Sequence, residues 1–254
     1  MKPQSENVHV SFLLREILQL KWSPIGVRLV KSDETSKDIP LELIRRLRYC
    51  QLLMEAKKGK SATLTRENIA CPAAAAALGL LPLPEKISSG EMLKTLGLFD
   101  SMMAAAITMA QMPRLEQGKI RAVAAAPLED AKFKPDVVII EDKPEKIMWI
   151  NLASIYKTGG RLSFNSGVFQ ACCVDVTVIP YLTKNVNVSL GCYGCRDSTD
   201  IADDECLAGI PIEKLEEIRT SLKALSLKAM SEARQKRVYK QFIKAQEMRV
   251  TDTK

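Results

Sequence analysis

The stretch Asp136-Val137-Val138-Ile139-Ile140 decides the fold class. Its run of β-branched apolar residues predicts a buried β-strand. The apolar spacing from about Glu145 to Tyr156 then predicts a helix. A similar strand, Ser23 to Val30, follows an amphipathic helix that ends near Leu20. Strands that alternate with helices are typical of an α/β protein, so we expect a sheet that is at least partly parallel.

The two parts of the sequence repeat one series of predicted elements: strand, helix, glycine turn, short strand, and a helix with cysteine near its start. Gly59 and Cys71 are twelve positions apart, as are Gly160 and Cys172. The short strand of the second series is Arg161 to Phe164. We interpret the repetition as an internal duplication. The alternative is a chance likeness of β-α-β units, because few side chains are identical between the two parts.

The predicted organisation is α/β, with two related β-α-β-α halves, a mixed sheet, a helical insertion and a C-terminal helix. Residues 1–117 hold the first half, and Leu80 to Gln117 is its mostly helical insertion. Residues 118–225 hold the second half, which ends in an amphipathic helix that begins at Pro211. Residues 226–254 form a basic C-terminal helical tail.

The composition is that of a folded globular protein. The 254 residues are 46% hydrophobic and 26% charged, with 12 Gly and 12 Pro, which excludes a disordered or fibrous chain. The longest apolar run falls short of the roughly 18 residues that a membrane span needs. The polar start from Met1 to Asn7 lacks the apolar segment of a secretory signal. We therefore expect a cytoplasmic protein.

Basic residues concentrate in the tail. Lys228 to Lys254 contains eight Lys or Arg and three Asp or Glu, which accounts for five of the formal net charge of +7. One interpretation is a solvated terminal helix. The other is contact with an acidic partner or nucleic acid, but the chain lacks the helix-turn-helix, zinc-finger and aromatic strand motifs of specific nucleic-acid recognition. A nucleic-acid partner is therefore not expected.

The chain has a single histidine, His9, and this limits the kinds of catalytic and metal site that it can form. Ser-His-Asp or Cys-His catalysis would have to use this residue, and zinc sites with several histidines are excluded. Gly59-Lys60-Ser61 resembles the end of a phosphate-binding loop, but Met54 occupies the position of the first glycine. That segment also joins a helix to a strand, which is the reverse of the required order. The usual kinds of nucleotide binding are therefore not expected.

Cysteines are the remaining candidates for chemistry. The seven are Cys50, Cys71, Cys172, Cys173, Cys192, Cys195 and Cys206. In a cytoplasmic chain they are core thiols, a redox pair or metal ligands rather than a disulfide framework. Cys71 and the Cys172–Cys173 pair lie at predicted helix starts, where the helix dipole favours a thiolate. Cys192 and Cys195 have the spacing of a redox pair, but the polar run from Arg196 to Asp200 predicts a turn where such a pair needs a helix.

Short motifs follow one another in order along the chain. They are Arg48-Tyr49-Cys50, Cys71, Ala77-Leu78-Gly79-Leu80, Pro113-Arg114-Leu115-Glu116, Ala126-Pro127-Leu128-Glu129, Pro135-Asp136-Val137-Val138, Pro180-Tyr181-Leu182, Ser189-Leu190-Gly191-Cys192-Tyr193-Gly194 and Gly209-Ile210-Pro211. This series resembles the uncharacterised-domain family numbered 169 of archaea and anaerobic bacteria. The resemblance covers about residues 10 to 225 and leaves out the basic tail. It implies no activity, because none is established for the family.

The resemblance implies four cysteine positions in this chain. They are Cys50, Cys71, Cys173 and Cys192. Cys195 departs from the family pattern, while Cys172 and Cys206 are assigned to packing or the surface. Four thiolates from separate elements fit an iron–sulfur cluster better than catalytic zinc. Structural zinc, haem, a reactive thiol and buried thiols that only pack beside a pocket are the alternatives.

Polar groups at strand ends and helix starts are expected to line the same crevice. They are Glu129, Asp175, Gly191, Gly194 and Arg196. We predict a protein that binds an iron–sulfur cluster between its halves, with an electron-transfer or accessory role in anaerobic metabolism and a redox protein as partner. One alternative is a metal-free module for a small anionic ligand, held by helix starts and the glycine loop. The other is an enzyme with Cys71 or Cys192 as nucleophile. The sequence is also compatible with a homo-oligomer.

Overall fold

The computed structural model describes residues 3–35, 38–43 and 45–251. Six strands form one sheet. They are β1 (Ile25–Lys31), β2 (Ala62–Thr65), β3 (Ile120–Pro127), β4 (Val137–Asp142), β5 (Asn187–Ser189) and β6 (Cys206–Pro211). Their order across the sheet is β2-β3-β1-β4-β6-β5. The α/β fold class is therefore confirmed.

Helices cover the sheet. The α-helices are α1 (Pro3–Leu18), α2 (Tyr49–Lys57), α3 (Pro72–Ala77), α4 (Glu85–Ser88), α5 (Glu91–Thr95), α6 (Met102–Ala110), α7 (Pro144–Ser154), α8 (Ile179–Thr183), α9 (Tyr193–Ser198), α10 (Ile212–Leu227), α11 (Ala229–Arg234) and α12 (Arg237–Thr251). A 3₁₀ turn spans Leu128–Asp130 and a π-helix spans Ala171–Val178. The predicted helical insertion and C-terminal helix are both present. Within the described part of the chain, no helix combines the length and apolar character needed to cross a bilayer.

The prediction of a mixed, partly parallel sheet is wrong. Every ladder between the six described strands is antiparallel, and parallel pairing is limited to the isolated bridges Glu42–Thr63 and Leu47–Ile69. The reason is strand insertion. β3 lies between β1 and β2, and β6, which the sequence analysis did not predict, lies between β4 and β5. The pairs β1 and β2, and β4 and β5, each of which the sequence analysis connected through a helix, are therefore not neighbours.

The strand order is the same when read outward in both directions from the central β1–β4 pair. The elements between the strands differ, however. Arg161–Phe164, predicted as a strand, has no regular structure, and the π-helix precedes β5 whereas α3 follows β2. The shared order does not by itself establish a duplication, which stays a prediction.

The central strand β4 explains the continuous apolar run in the sequence. Val137 and Ile139 pack in one core cluster with α2, α3 and the π-helix. Val138 and Ile140 pack in a second cluster with α1, α7 and α10. Because alternate side chains point to opposite faces of a strand, both faces of β4 are covered. The sheet is therefore the middle of three layers, and the cysteine-bearing helices lie on one side of it.

The π-helix lies against β6 at a glycine. A Cβ added at Gly209 would lie 2.2 Å from the carbonyl oxygen of Val176, so only glycine allows this approach. Pro180 follows the π-helix and has no N–H for the carbonyl of Asp175. The Asn187 side chain supplies that donor at 2.8 Å. Sheet and π-helix are thus joined by one close backbone contact and one buried side-chain hydrogen bond.

We expect Gly209→Ala to lower the free energy of unfolding by about 3 kcal/mol, because the added methyl group must push the π-helix away from β6. Urea unfolding followed by circular dichroism measures the change. Gly26→Ala is the matched control, since its nearest neighbours would lie at an ordinary 3.4 Å. Equal losses in the two variants would contradict this account of the β6 contact.

Candidate thiol site

Six of the seven cysteines line one cavity of about 60 Å³. They are Cys50, Cys71, Cys172, Cys173, Cys192 and Cys195. Arg48, Phe169, Gln170 and Gly194 are among the residues that complete its wall. We call this cavity the thiol pocket. It brings together all four cysteines that the sequence analysis chose as ligands, and it adds Cys172 and Cys195, which the analysis set aside.

Four separate helices supply the sulfurs. Cys50 is the second residue of α2, and Cys71 immediately precedes α3. The π-helix contributes Cys172 and Cys173 near its start. Cys192 immediately precedes α9, which contains Cys195. The pocket is therefore formed by the starts of helices that are distant in sequence.

The turn predicted after Cys195 is wrong, because α9 continues to Ser198. Two contacts favour this helix. The backbone N–H of Cys195 donates to the Cys192 sulfur at 3.4 Å, which caps the first turn. The Arg196 guanidinium donates to the carbonyl oxygens of Ala202 and Glu205, each at 3.0 Å. Cys192 and Cys195 thus have the helical setting that the sequence analysis found missing for a redox pair.

Cys195 is the centre of the sulfur cluster. Its Sγ lies 2.9 Å from Cys192 Sγ and 3.5 Å from Cys172 Sγ. The Cys50 thiol is also close enough to lower the pKa of Cys195. The Cys173 thiol donates instead to the carbonyl oxygen of Gln170 at 3.6 Å. Three thiols therefore converge on one sulfur.

This arrangement concentrates negative charge on Cys195. Hydrogen bonds from Cys172, Cys192 and Cys50 lower the pKa of Cys195 far below that of an ordinary thiol, against the effect of burial. The same bonds, together with burial, raise the pKa values of the three donors. Burial likewise raises the pKa of Cys173. Cys195 is consequently the most acidic of these four thiols.

A chain of hydrogen bonds positions Cys172 relative to Cys50. The Thr177 hydroxyl donates to the Cys172 carbonyl oxygen at 2.7 Å, so its own oxygen is free to accept the Tyr49 hydroxyl at 2.8 Å. Tyr49 is 1% exposed and directly precedes Cys50. The chain therefore ties the start of α2 to the π-helix inside the core.

Ion pairs hold the other end of α2. Lys57 is buried and pairs with Glu141 on β4 and with Asp200 at 2.8 Å. Gln51 also donates to the Ser198 carbonyl oxygen at 3.3 Å. Asp200 and Ser198 lie at or just after the end of α9, so these contacts fix the helix of Cys50 beside the helix of Cys195.

A second cavity, of about 270 Å³, shares Phe169 and Gln170 with the thiol pocket. Asp175 also lines it. This carboxylate accepts from the Ser189 hydroxyl at 2.7 Å and from the Gly167 N–H at 3.2 Å. Burial raises the pKa of Asp175 to about 6 in spite of these bonds, and the charge of Cys195 adds to the effect. We call this space the polar cavity.

The polar residues predicted to line the site have different positions. Of them, Gly194 lines the thiol pocket and Asp175 lines the polar cavity. Gly191 lies against the Arg196 side chain, which binds loop carbonyls. Glu129 accepts from Ser11 at 2.6 Å and binds Arg15, so it fixes α1.

Among the described residues, no group of three or more Cys, His, Asp or Glu side chains is arranged so that it could hold a metal ion. The sulfur distances indicate why. Thiolates around a tetrahedral ion with bonds of about 2.3 Å lie about 3.8 Å apart. Cys172 and Cys195 approach that value, but Cys192 and Cys195 are closer to each other, at 2.9 Å. The donor chemistry suits a soft metal, and the sulfurs would have to separate to bind one.

A profile of the family described as Uncharacterised ArCR, a domain of unknown function numbered 169, matches residues 13–220. The chain belongs to this family. It is also similar to an uncharacterised protein of Methanocaldococcus jannaschii, MJ0308, with 30% identity over 207 residues. The match covers 81% of this chain and 88% of that protein. No solved structure matches significantly.

Within this family fold, sequence reasoning overlooked two inner sulfurs and the residues that orient them. The Cys192-x-x-Cys195 spacing was the available signal for Cys195, but a short polar helix resembles a turn. Cys172 lies next to the chosen Cys173, and only the wide turn of the π-helix brings both to the pocket. Tyr49 and Thr177 gave no signal, because their contact joins residues 128 positions apart.

We predict a pH-dependent effect of Asp175→Asn. The folded pKa of about 6 lies above the ordinary 3.8, so this group stabilises the fold below pH 3.8 and loses that contribution as pH rises through 6. Asparagine does not ionise, so the variant does not lose stability in this way as the pH rises. Its free energy of unfolding relative to the natural chain should therefore rise by up to about 3 kcal/mol between pH 4 and 7.

Urea unfolding at several pH values measures this difference. Asp203→Asn, at an exposed position, is the control and should give a curve nearly parallel to that of the natural chain. A difference between Asp175→Asn and the natural chain that does not change with pH would contradict the assignment.

Proposed function

We propose that the thiol pocket binds an iron–sulfur cluster and that the protein serves in electron transfer, or as an accessory redox protein, in anaerobic metabolism. The observation that carries the proposal is the convergence of six free thiols from four separate helices on one cavity. A reducing compartment such as the cytoplasm suits a chain with seven free cysteines. Its partner would be another redox protein.

The donor set supports iron and sulfide over other cofactors. Among the described residues that line the pocket, the metal-binding groups are all thiols. Soft thiolate ligands favour iron–sulfur clusters, and zinc or copper(I) are the other ions they select. The only histidine, His9, lies beside Arg219 instead. Haem, which uses one or two axial ligands, would leave most of these thiols without a role.

The proposed ligands are the four cysteines that match the family pattern. They are Cys50, Cys71, Cys173 and Cys192. Each comes from a different helix start, so together they surround the cavity. Cys172 and Cys195 then act as hydrogen-bonding neighbours of these ligands. When bound, the cluster would supply one-electron redox chemistry.

The surrounding residues would regulate access and charge. The pKa values of the proposed ligands Cys50, Cys173 and Cys192 are raised, so metal binding must release protons from them and should weaken at low pH. Among the described residues that line the pocket, Arg48 is the only one with a permanently charged side chain. It would offset part of the negative charge of the thiolates. Phe169 and Ala74 contribute an apolar wall that limits water.

The test is anaerobic purification and reconstitution of the full chain with ferrous iron and sulfide. We expect iron and acid-labile sulfide in near-equal amounts, together with broad visible absorption that bleaches on reduction. Cys50→Ser, Cys71→Ser, Cys173→Ser and Cys192→Ser should each lose most of the iron. Circular dichroism checks that each variant is folded.

Cys206→Ser is the matched control, because Cys206 is a buried thiol in the other core layer. Cys195→Ser should also retain iron, since its sulfur is assigned no bond to the cluster. A colourless, iron-free protein whose thiols all titrate would refute the proposal, and so would uptake of zinc alone. Loss of iron in Cys195→Ser would overturn the assigned ligand set.

A second function is favoured by the contact between Cys192 and Cys195. Their sulfurs are 2.9 Å apart at the start of α9, which suits a dithiol that oxidises to a disulfide. The oxidant would be a disulfide of small-molecule or protein origin. The Cys195 thiolate attacks one of its sulfurs and releases the first thiolate. Cys192, after losing its proton, attacks the mixed disulfide and releases the second. Two electrons thus pass from the pair to the oxidant.

For this second function we predict that metal-free, reduced protein incubated with oxidised glutathione loses two hydrogen atoms in mass. Peptide mapping should find a Cys192–Cys195 disulfide. Either Cys192→Ser or Cys195→Ser should prevent that product, and Cys206→Ser should not. Recovery of seven free thiols, or a disulfide between other cysteines, would exclude the dithiol function. Reconstitution with iron should block the reaction if the two functions share the pocket.

A further inference from the structure

Helix α12 has an apolar face that the rest of the described chain leaves uncovered. Val238, Tyr239 and Phe242 are 79%, 60% and 57% exposed. At 100° per residue these side chains and the half-exposed Ile243 fall on one side of the helix. An aqueous surface rarely presents such a group of large apolar side chains without a binding role.

The opposite side of the same helix is basic. Arg237, Lys240 and Lys244 are exposed, and the segment from Lys228 to Lys254 has five more basic than acidic residues. None of the exposed lysines on this face has an ion-pair partner among the described residues. The helix therefore separates apolar and cationic groups into two faces along its length.

A left-handed residue separates α12 from α11. Lys236 has a φ of 49°, so the chain turns in the left-handed region between α11 and α12. The family match ends at residue 220. The helix thus belongs to a segment that the family match does not cover, and its exposed face is free of the layers that form the thiol pocket.

We propose that α12 binds the surface of an anionic lipid bilayer. An amphipathic helix with aromatic residues on one face and lysines on the other lies in the plane of a membrane interface, where each basic residue near anionic headgroups adds to binding. The apolar face of Val238, Tyr239 and Phe242 would enter the boundary between headgroups and acyl chains. Arg237, Lys240 and Lys244 would contact the phosphate groups.

Charge argues against two other occupants. A second copy of the chain would bring two basic helices together, and like charges at such an interface are unfavourable. Nucleic acid would satisfy the cations but would leave the apolar face exposed, because the phosphate backbone is polar. An anionic bilayer matches both faces at once.

The experiment is co-flotation of the full chain with lipid vesicles. We expect binding to vesicles with about one third phosphatidylserine and little binding to phosphatidylcholine alone. Lys240→Glu/Lys244→Glu should weaken binding by at least about thirtyfold. Val238→Ser/Phe242→Ser should weaken it by at least about tenfold, because most of the apolar area that enters the bilayer is lost.

The control is Lys86→Glu/Lys157→Glu, which makes the same charge change at exposed positions elsewhere and should keep most of the binding. Circular dichroism should give all variants the unfolding midpoint of the natural chain. Equal binding to neutral and anionic vesicles would overturn the proposal. So would a concentration-dependent dimer that Val238→Ser/Phe242→Ser abolishes, or binding to duplex DNA without binding to vesicles.

Discussion

The hydrogen-bond chain from Tyr49 through Thr177 to the Cys172 carbonyl is the constraint on which the thiol pocket depends. It is buried and joins two helices that are far apart in the sequence. Without it, the positions of Cys50 and Cys172 would be less well fixed relative to each other, because each belongs to a different helix on the sheet. A buried hydroxyl pair of this kind costs about 1–3 kcal/mol when one partner is left unsatisfied. The chemistry of the sulfurs therefore rests on a contact that involves no sulfur.

The second consequence of this arrangement is electrostatic. Burial raises the pKa of Cys173 and so opposes a thiolate there. Convergence on Cys195 changes that balance, because three S–H groups stabilise one thiolate more than burial opposes it. A lowered pKa at one sulfur favours binding of a positively charged metal, for which the sulfurs would have to separate, and it also favours loss of a pair of electrons by a dithiol. The two proposed functions are different uses of the same charge distribution.

The sequence allowed the α/β class and four of the six pocket cysteines to be predicted better than the connections between strands. The apolar run of β4, the amphipathic α10 and the helix starts at Cys71 and Cys172 follow from local patterns, which act over a few residues. Strand β6 was overlooked because Cys206–Pro211 contains a glycine and ends in a proline, and both residue types are uncommon in strands. The antiparallel order depends on which strands insert between others, and the inner role of Cys195 depends on tertiary contacts. Neither leaves a periodic signal.

The wall formed by Phe169 and Gln170 has a consequence for communication within the molecule. Gln170 has a left-handed backbone, with φ of 57°, and its carbonyl accepts both the Val174 N–H and the Cys173 thiol. Gln170 thus lies between the thiol pocket and the polar cavity and accepts the hydrogen bonds at the start of the π-helix. Any molecule that enters the polar cavity and rotates the Gln170 peptide must therefore change the hydrogen bond between the Cys173 thiol and the Gln170 carbonyl. By reciprocity, a binding event at the sulfurs must change the affinity of the polar cavity for that molecule. The factor is the same as that by which the molecule changes binding at the sulfurs.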